Sequence, residues 1–174
     1  MDNIYCQYKY FGSCNYYINY NYAINKAKQK NITINYHGIE LYPVPKESYI
    51  ELNFTDLIGE DKSELLKLHE CSWEKGNKIN DFFKLTKNKI SLENYKSDTQ
   101  FDIIYFDAFS PEKQPHLWNE EVFQNMYNLL KEDGFLVTYC AKGVVKRTMK
   151  SVGFEIIVLD GPPGKRQMTR ANKF

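Results

Sequence analysis

The sequence predicts a mostly parallel, doubly wound α/β sheet with an antiparallel C-terminal strand. Strand-like and helix-like stretches alternate along the chain, as they do when helices return successive strands to one sheet. The run Ile103-Ile104-Tyr105-Phe106 is β-branched and aromatic without alternation, the pattern of a strand covered on both faces. Gly161-Pro162-Pro163-Gly164 then turns the chain between its last two extended stretches, which reads as a closing hairpin.

The elements follow in order. Ile4 to Phe11 alternates loosely and is rich in Tyr, which suits a first strand ended by Gly12-Ser13. Asn15 caps a helix over Tyr16 to Lys30, where Ala23, Ile24 and Ala27 fall at helical spacing. Ile32 to Leu41 reads as the second strand, broken by Tyr42-Pro43-Val44-Pro45. Helices are expected over Lys46 to Leu57 and Asp61 to His69, Cys71 to Asp81 carries no pattern, and Phe82 to Ser91 reads as the third strand. After the central strand, Asn119 caps a helix over Glu120 to Lys131, whose early acids favour the positive helix N-terminus and which Asp133-Gly134 ends. Phe135 to Cys140 is a further buried strand, Gly143 to Val152 a helix, Phe154 to Leu159 a strand, and Arg166 to Asn172 the last extended stretch.

At 174 residues, one domain over 1–174 is expected. A hydrophobic content of 43% and a charged content of 26%, without an apolar run near the roughly 20 residues that span a bilayer, exclude a helical membrane protein. No secretory leader pattern is visible, so the cytoplasm is the expected location. Cys6, Cys14, Cys71 and Cys140 are scattered and read as reduced thiols; His37, His69 and His116 lie too far apart to suggest a metal site. Net charge is +1, but from Lys142 onward eight basic residues face only Glu155 and Asp160. Such a tail can meet a polyanion or be a solvated helix face with a charged terminus.

Open α/β sheets bind ligands outside the carboxyl ends of their strands, so Asp107, directly after the central strand, is placed for chemistry or for capping a turn. Three segments go further: Asp107-Ala-Phe-Ser-Pro-Glu-Lys-Gln-Pro with Leu117-Trp118 and Phe123; Val137-Thr-Tyr-Cys-Ala-Lys-Gly143; and Gly161-Pro-Pro-Gly-Lys-Arg-Gln-Met-Thr-Arg-Ala171. In these the chain resembles the methyltransferases that complete 5-methylaminomethyl-2-thiouridine at the tRNA wobble position. Gly38-Ile-Glu40-Leu-Tyr-Pro43 extends a weaker match towards the start.

The resemblance implies a Rossmann-like class I methyltransferase, cytoplasmic, with S-adenosylmethionine as cofactor, tRNA as substrate and no metal. An oxidase acting as a separate protein is a partner that it allows. It implies Asp107 as the catalytic residue. Phe11, Gly12 and Ser13 would meet the cofactor, Glu40 its ribose, Glu93 its adenine, and Ala108 and Phe109 would line the same site. Pro111, Lys142, Lys165, Arg166 and Arg170 would meet the substrate, with Lys146 behind them. Where the family has an acid and then G-F-G-T-G, this chain has Tyr8 and then Tyr10-Phe11-Gly12-Ser13-Cys14, and the family's region before that strand is absent. The alternative is therefore an N-terminally shortened or decayed member that no longer binds cofactor, a tRNA-binding remnant. A nicotinamide dehydrogenase needs G-x-G-x-x-G after the first strand, which is missing.

Overall fold

A computed structural model describes residues 2–7 as backbone and residues 23–53, 55–56, 59, 61–161, 164 and 166–174 with their side chains. Two units organise them, one built on Tyr8–Ile90 and the other on Asn3–Gln7 with Ser91–Phe174.

The first unit holds helix α1 over residues 23–30, strand β2 (Ile34–Ile39), a single helical turn α2 (Lys46–Tyr49), helix α3 (Lys62–Glu70), and strands β3 (Gly76–Asn80) and β4 (Phe83–Asn88). β2 and β4 run parallel from Ile34 beside Phe83 to Ile39 beside Asn88, and β3 adds to β4 antiparallel. Ile34, Tyr36, Phe83 and Leu85 are buried from the strands, and Leu65 and Leu68 from α3. α3 starts as its sequence directs, with the Asp61 carboxylate accepting from the Ser63 amide at 2.8 Å. Its far end is closed less commonly. Lys87 is fully buried, and its ammonium donates to the carbonyls of Leu68 and His69 at 3.1 and 2.6 Å, 4.8 Å from the centre of the Trp73 ring. The cation thus satisfies carbonyls that a helix end leaves open.

In the second unit, strand β1 (Asp2–Gln7) pairs through Ile4–Gln7 with β5 (Phe101–Phe106), followed in space by β6 (Leu130–Thr138), β8 (Gln167–Asn172) and β7 (Glu155–Asp160). β1, β5 and β6 are parallel, whereas β8 is antiparallel to both its neighbours, the closing hairpin that the sequence predicts. Helices α4 (Glu120–Leu129) and α5 (Gly143–Ser151) complete the unit. Asn119 caps α4 by accepting from the Val122 amide at 2.9 Å. Ile104, Phe106 and Leu136 from the strands, Phe123 and Met126 from α4, and Met149 from α5 are all 1% exposed or less.

Several sequence expectations shift. Within the helix expected over Lys46 to Leu57, the described residues are helical at Lys46–Tyr49 and again at 55–56, with a break at 50–53, and the Tyr49 ring stacks 4.5 Å from His69. The unpatterned stretch before Asp81 contains β3, a polar strand that exists because β4 offers it a hydrogen-bonding edge. α4 stops at Leu129, since Leu130 already pairs with Phe101 in β6. Between those partners and Ile103 beside Phe135 the register slips, with Asp133 at φ 63°. A Cβ on Gly134 would lie 2.8 Å from the Lys131 carbonyl oxygen, so the backbone approach there requires glycine. β5 is buried at Phe101, Ile104 and Phe106 and half-buried at Ile103, but Tyr105 is 37% exposed. The expected first strand beyond Gln7, the Asn15 cap and the start of its helix lie outside the described residues.

Candidate active site

The register of the second unit sets Gln7, Phe106 and Thr138 side by side at the carboxyl ends of β1, β5 and β6. Asp107 and Tyr139, the first residues after β5 and β6, therefore share the edge where open α/β sheets hold ligands. Asp107 is half-buried there.

The backbone after Asp107 is fixed by three side chains. The Tyr139 hydroxyl donates to the Ala108 carbonyl at 3.0 Å, the Trp118 indole N–H donates to the Phe109 carbonyl at 2.7 Å, and the Gln114 side-chain oxygen accepts from the Phe109 amide at 3.0 Å. Ser110 closes the loop, its carbonyl accepting from the amides of Lys113 and Gln114. Trp118 also packs edge-on against Phe106, Phe123 and Tyr139, with ring centres 4.6 to 6.3 Å apart. Burial first, then Cys140 and the Asp107 charge, push the Tyr139 phenol up to about 12. It is therefore a neutral donor at every working pH.

The other residues read from the sequence fall around this loop in different ways. Ala108 is buried, Phe109 and Pro111 are half-buried, and Lys142 reaches the loop through an ion pair with Glu112. Glu93, on the single turn Leu92–Asn94, faces His116 at 3.6 Å. Arg170 lies in mid-β8 beside Val137, its guanidinium 3.8 Å above the Phe135 ring and its Nε donating to Asn172 at 2.7 Å. Arg166 is exposed before β8. Phe11, Gly12, Ser13 and Lys165 lie outside the described residues. Sequence reasoning gave no role to Tyr139, Gln114 or Trp118. The signal for Tyr139 was its place as the first residue beyond a parallel strand.

In the first unit, Glu40 directly follows β2, and its amide donates to the Asn88 carbonyl at 3.0 Å. It is 7% exposed. One carboxylate oxygen accepts from the Tyr42 amide at 2.7 Å, while the other is buried without a hydrogen-bond partner among the described residues. Burial pushes this carboxyl up to about 7, against the pull of the Tyr42 and Leu41 amides. A buried acceptor lacking a donor is a chemical fit to a ligand hydroxyl. Raised in this way, Glu40 favours the apoprotein fold below about pH 4.5, and that contribution is lost as pH rises through about 7.

Residues 63–174 match the S-adenosyl-L-methionine-dependent methyltransferase family. The tRNA 5-methylaminomethyl-2-thiouridine biosynthesis bifunctional protein MnmC of Campylobacter hominis is 28% identical over 155 residues, 84% of this chain and 22% of that protein. Its counterpart in Actinobacillus pleuropneumoniae is 35% identical over 74 residues, 42% of this chain and 11% of that protein. The chain thus spans under a quarter of these relatives. Among solved structures, MnmC2 from Aquifex aeolicus superposes with a TM-score of 0.65 at 19% identity, covering 98% of this chain and 52% of that one. The N-methyltransferase NodS of Bradyrhizobium japonicum does so with a TM-score of 0.53 at 10% identity, covering 99% and 85%. These likenesses carry the Rossmann-like methyltransferase fold, with its largely parallel sheet and antiparallel strands. With a family match over most of its length and that fold around the Asp107 edge, the chain belongs to the S-adenosyl-L-methionine-dependent methyltransferase family.

Proposed function

We propose that this chain methylates the amine of a 5-aminomethyl group on the wobble uridine of tRNA, using S-adenosylmethionine. The observation that carries the reading is the Asp107 loop: an acid at the carboxyl end of β5, on a backbone pinned by Tyr139, Trp118 and Gln114. Relatives named for 5-methylaminomethyl-2-thiouridine biosynthesis support the choice of substrate. When bound, the cofactor supplies a methyl group on a sulfonium.

Glu40 accepts the ribose hydroxyls with the carboxylate oxygen that has no hydrogen-bond partner among the described residues. Asp107 orients the substrate amine. An alkyl amine titrates near 10 and a carboxylate near 4, so outright proton removal by an ordinary Asp is uphill by about 6 units, or roughly 8 kcal/mol. A hydrogen bond from the amine to Asp107 costs nothing of that kind and aligns the lone pair, while burial lowers the amine's own pKa and its proton leaves to water. Tyr139, staying protonated, keeps its donation to the Ala108 carbonyl and so keeps Asp107 in register.

The direct test is transfer of labelled methyl from S-adenosylmethionine to tRNA carrying 5-aminomethyl-2-thiouridine, with calorimetry of cofactor binding alongside. Transfer confined to that tRNA is expected. Cofactor binding without transfer would overturn the substrate, and no cofactor binding would favour the remnant reading.

Glu40 gives this reading a pH signature. Only its ionised form accepts from both hydroxyls of a diol, so cofactor affinity should weaken about tenfold as pH falls from about 8 to about 6, the change in ionised fraction for a group near 7. Glu40→Gln should bind more weakly and without that slope. An unchanged slope in the Gln variant would remove Glu40 from the cofactor site.

A further inference from the structure

We propose that the exposed face of α5, carrying Lys146, Arg147 and Lys150, is a docking surface for the phosphodiester backbone of the RNA substrate. The inference rests on the tRNA reading above and extends it to residues outside the Asp107 loop.

The charge pattern is the first argument. From Gly134 to Phe154 the chain holds no acid, yet it holds Lys142, Lys146, Arg147 and Lys150. Val145 and Met149 bury one side of α5, at 2% and 0% exposure, which leaves Arg147 and Lys150 exposed and Lys146 half-buried on the rest of the helix. Lys142 is paired with Glu112, but among the described residues none of the three helix cations forms an ion pair. This is a row of unneutralised charge, not a salt-bridge lattice.

The second argument is how the cations are spaced along the helix. A helix N-terminus favours acids, and α4 follows that rule with Glu120 and Glu121 in its first turn. In α5 the first turn has none, Lys142 at the cap is paired with Glu112, and Lys150 stands in the last turn, where a helix favours a cation. Lys146 and Lys150 are four residues apart, a rise of about 6 Å, so the cations extend along the helix and match a chain of successive charges better than one isolated anion.

The third argument is position. α5 begins just beyond the carboxyl end of β6, and the Lys142–Glu112 pair ties its start to the Asp107 loop. RNA lying along α5 would enter at the edge where Asp107 stands. The face holds one exposed apolar residue, Val144, too little for a helix that beds into lipid.

The test compares wild type with Lys146→Gln/Arg147→Gln/Lys150→Gln and with a control of equal charge loss, Lys28→Gln/Lys30→Gln/Lys62→Gln. tRNA affinity is measured against salt, and calorimetry with S-adenosylmethionine reports that the site is intact. Each lost phosphate contact should lower the salt slope by about 0.7 to 0.9, so the helix variant should lose about 2 in slope and roughly a hundredfold in affinity at about 0.1 M salt. The control should retain most of the slope. An equal loss in both variants would show a general charge effect and overturn the surface, as would an unchanged slope in the helix variant. Helix-dependent sedimentation with phosphatidylserine vesicles, with tRNA binding unaltered, would assign the face to membrane instead and also overturn it. Wild type that fails to bind tRNA would sink the substrate reading itself, an outcome distinct from these.

Discussion

Asp107→Asn is expected to fold as wild type does and to lose methyl transfer by roughly 10²-fold or more, the scale of a positioned catalytic group. The substitution preserves shape, so the loop bonds through Ala108 and Phe109 remain. What it removes is the charge that makes Asp107 a strong acceptor for an amine, and what it adds is an amide N–H able to point the wrong way. The loss should fall on kcat, with cofactor affinity nearly unchanged, because Glu40 and not Asp107 is assigned to the ribose. Turnover of the Asn variant close to wild type would reduce Asp107 to a turn residue.

Trp118→Ala should have the largest effect on stability. The side chain is 6% exposed, packs edge-on against Phe106 at 4.6 Å, and holds the Phe109 carbonyl. Truncating a buried aromatic of this kind costs about 3–5 kcal/mol, a large share of the roughly 5–15 kcal/mol that separates a folded domain from its unfolded chain. Trp118→Phe separates packing from hydrogen bonding: the ring refills most of the space, but the Phe109 carbonyl loses its donor, at about 1–3 kcal/mol. Urea unfolding measures both. An Ala variant within about 1 kcal/mol of wild type would mean that Trp118 is not the keystone of the loop, whereas a stable Phe variant with impaired transfer would locate its role in the backbone after Asp107.

These effects concentrate in the part of the sequence that was most legible. β5 and α4 could be read because apolar spacing, the Asn119 cap and the tertiary contacts agree. Asp107 could be read because a strand's last position is fixed by the strand. β3 could not, since Gly76-Asn77-Lys78-Ile79-Asn80 has one apolar residue and takes its conformation from β4. The α4 end reads too long from the sequence for the opposite reason: Leu129 and Leu130 suit either element, and pairing of Leu130 with Phe101 decides between them. The apolar run in β5 suggested two covered faces, but a run of apolar residues does not reveal which of them meet solvent, as Tyr105 does. Trp118 and Tyr139 act through the backbone of another segment, a relation that no local pattern encodes.

The position of β8 bears on how this unit is made during synthesis. β6 and β7 leave the ribosome before β8, yet in the finished sheet they do not touch each other, because β8 lies between them. Until Gln167–Asn172 arrives, both strands have an unpaired edge facing the gap, each a template for another nascent chain. The last strand is then locked by Lys173, whose buried ammonium donates to the Leu130 carbonyl at 2.8 Å at the start of β6. A ribosome that stalls before Gln167 would thus release a chain with two open edges, and clients of holdase chaperones should include such stalled products far more than the full-length chain.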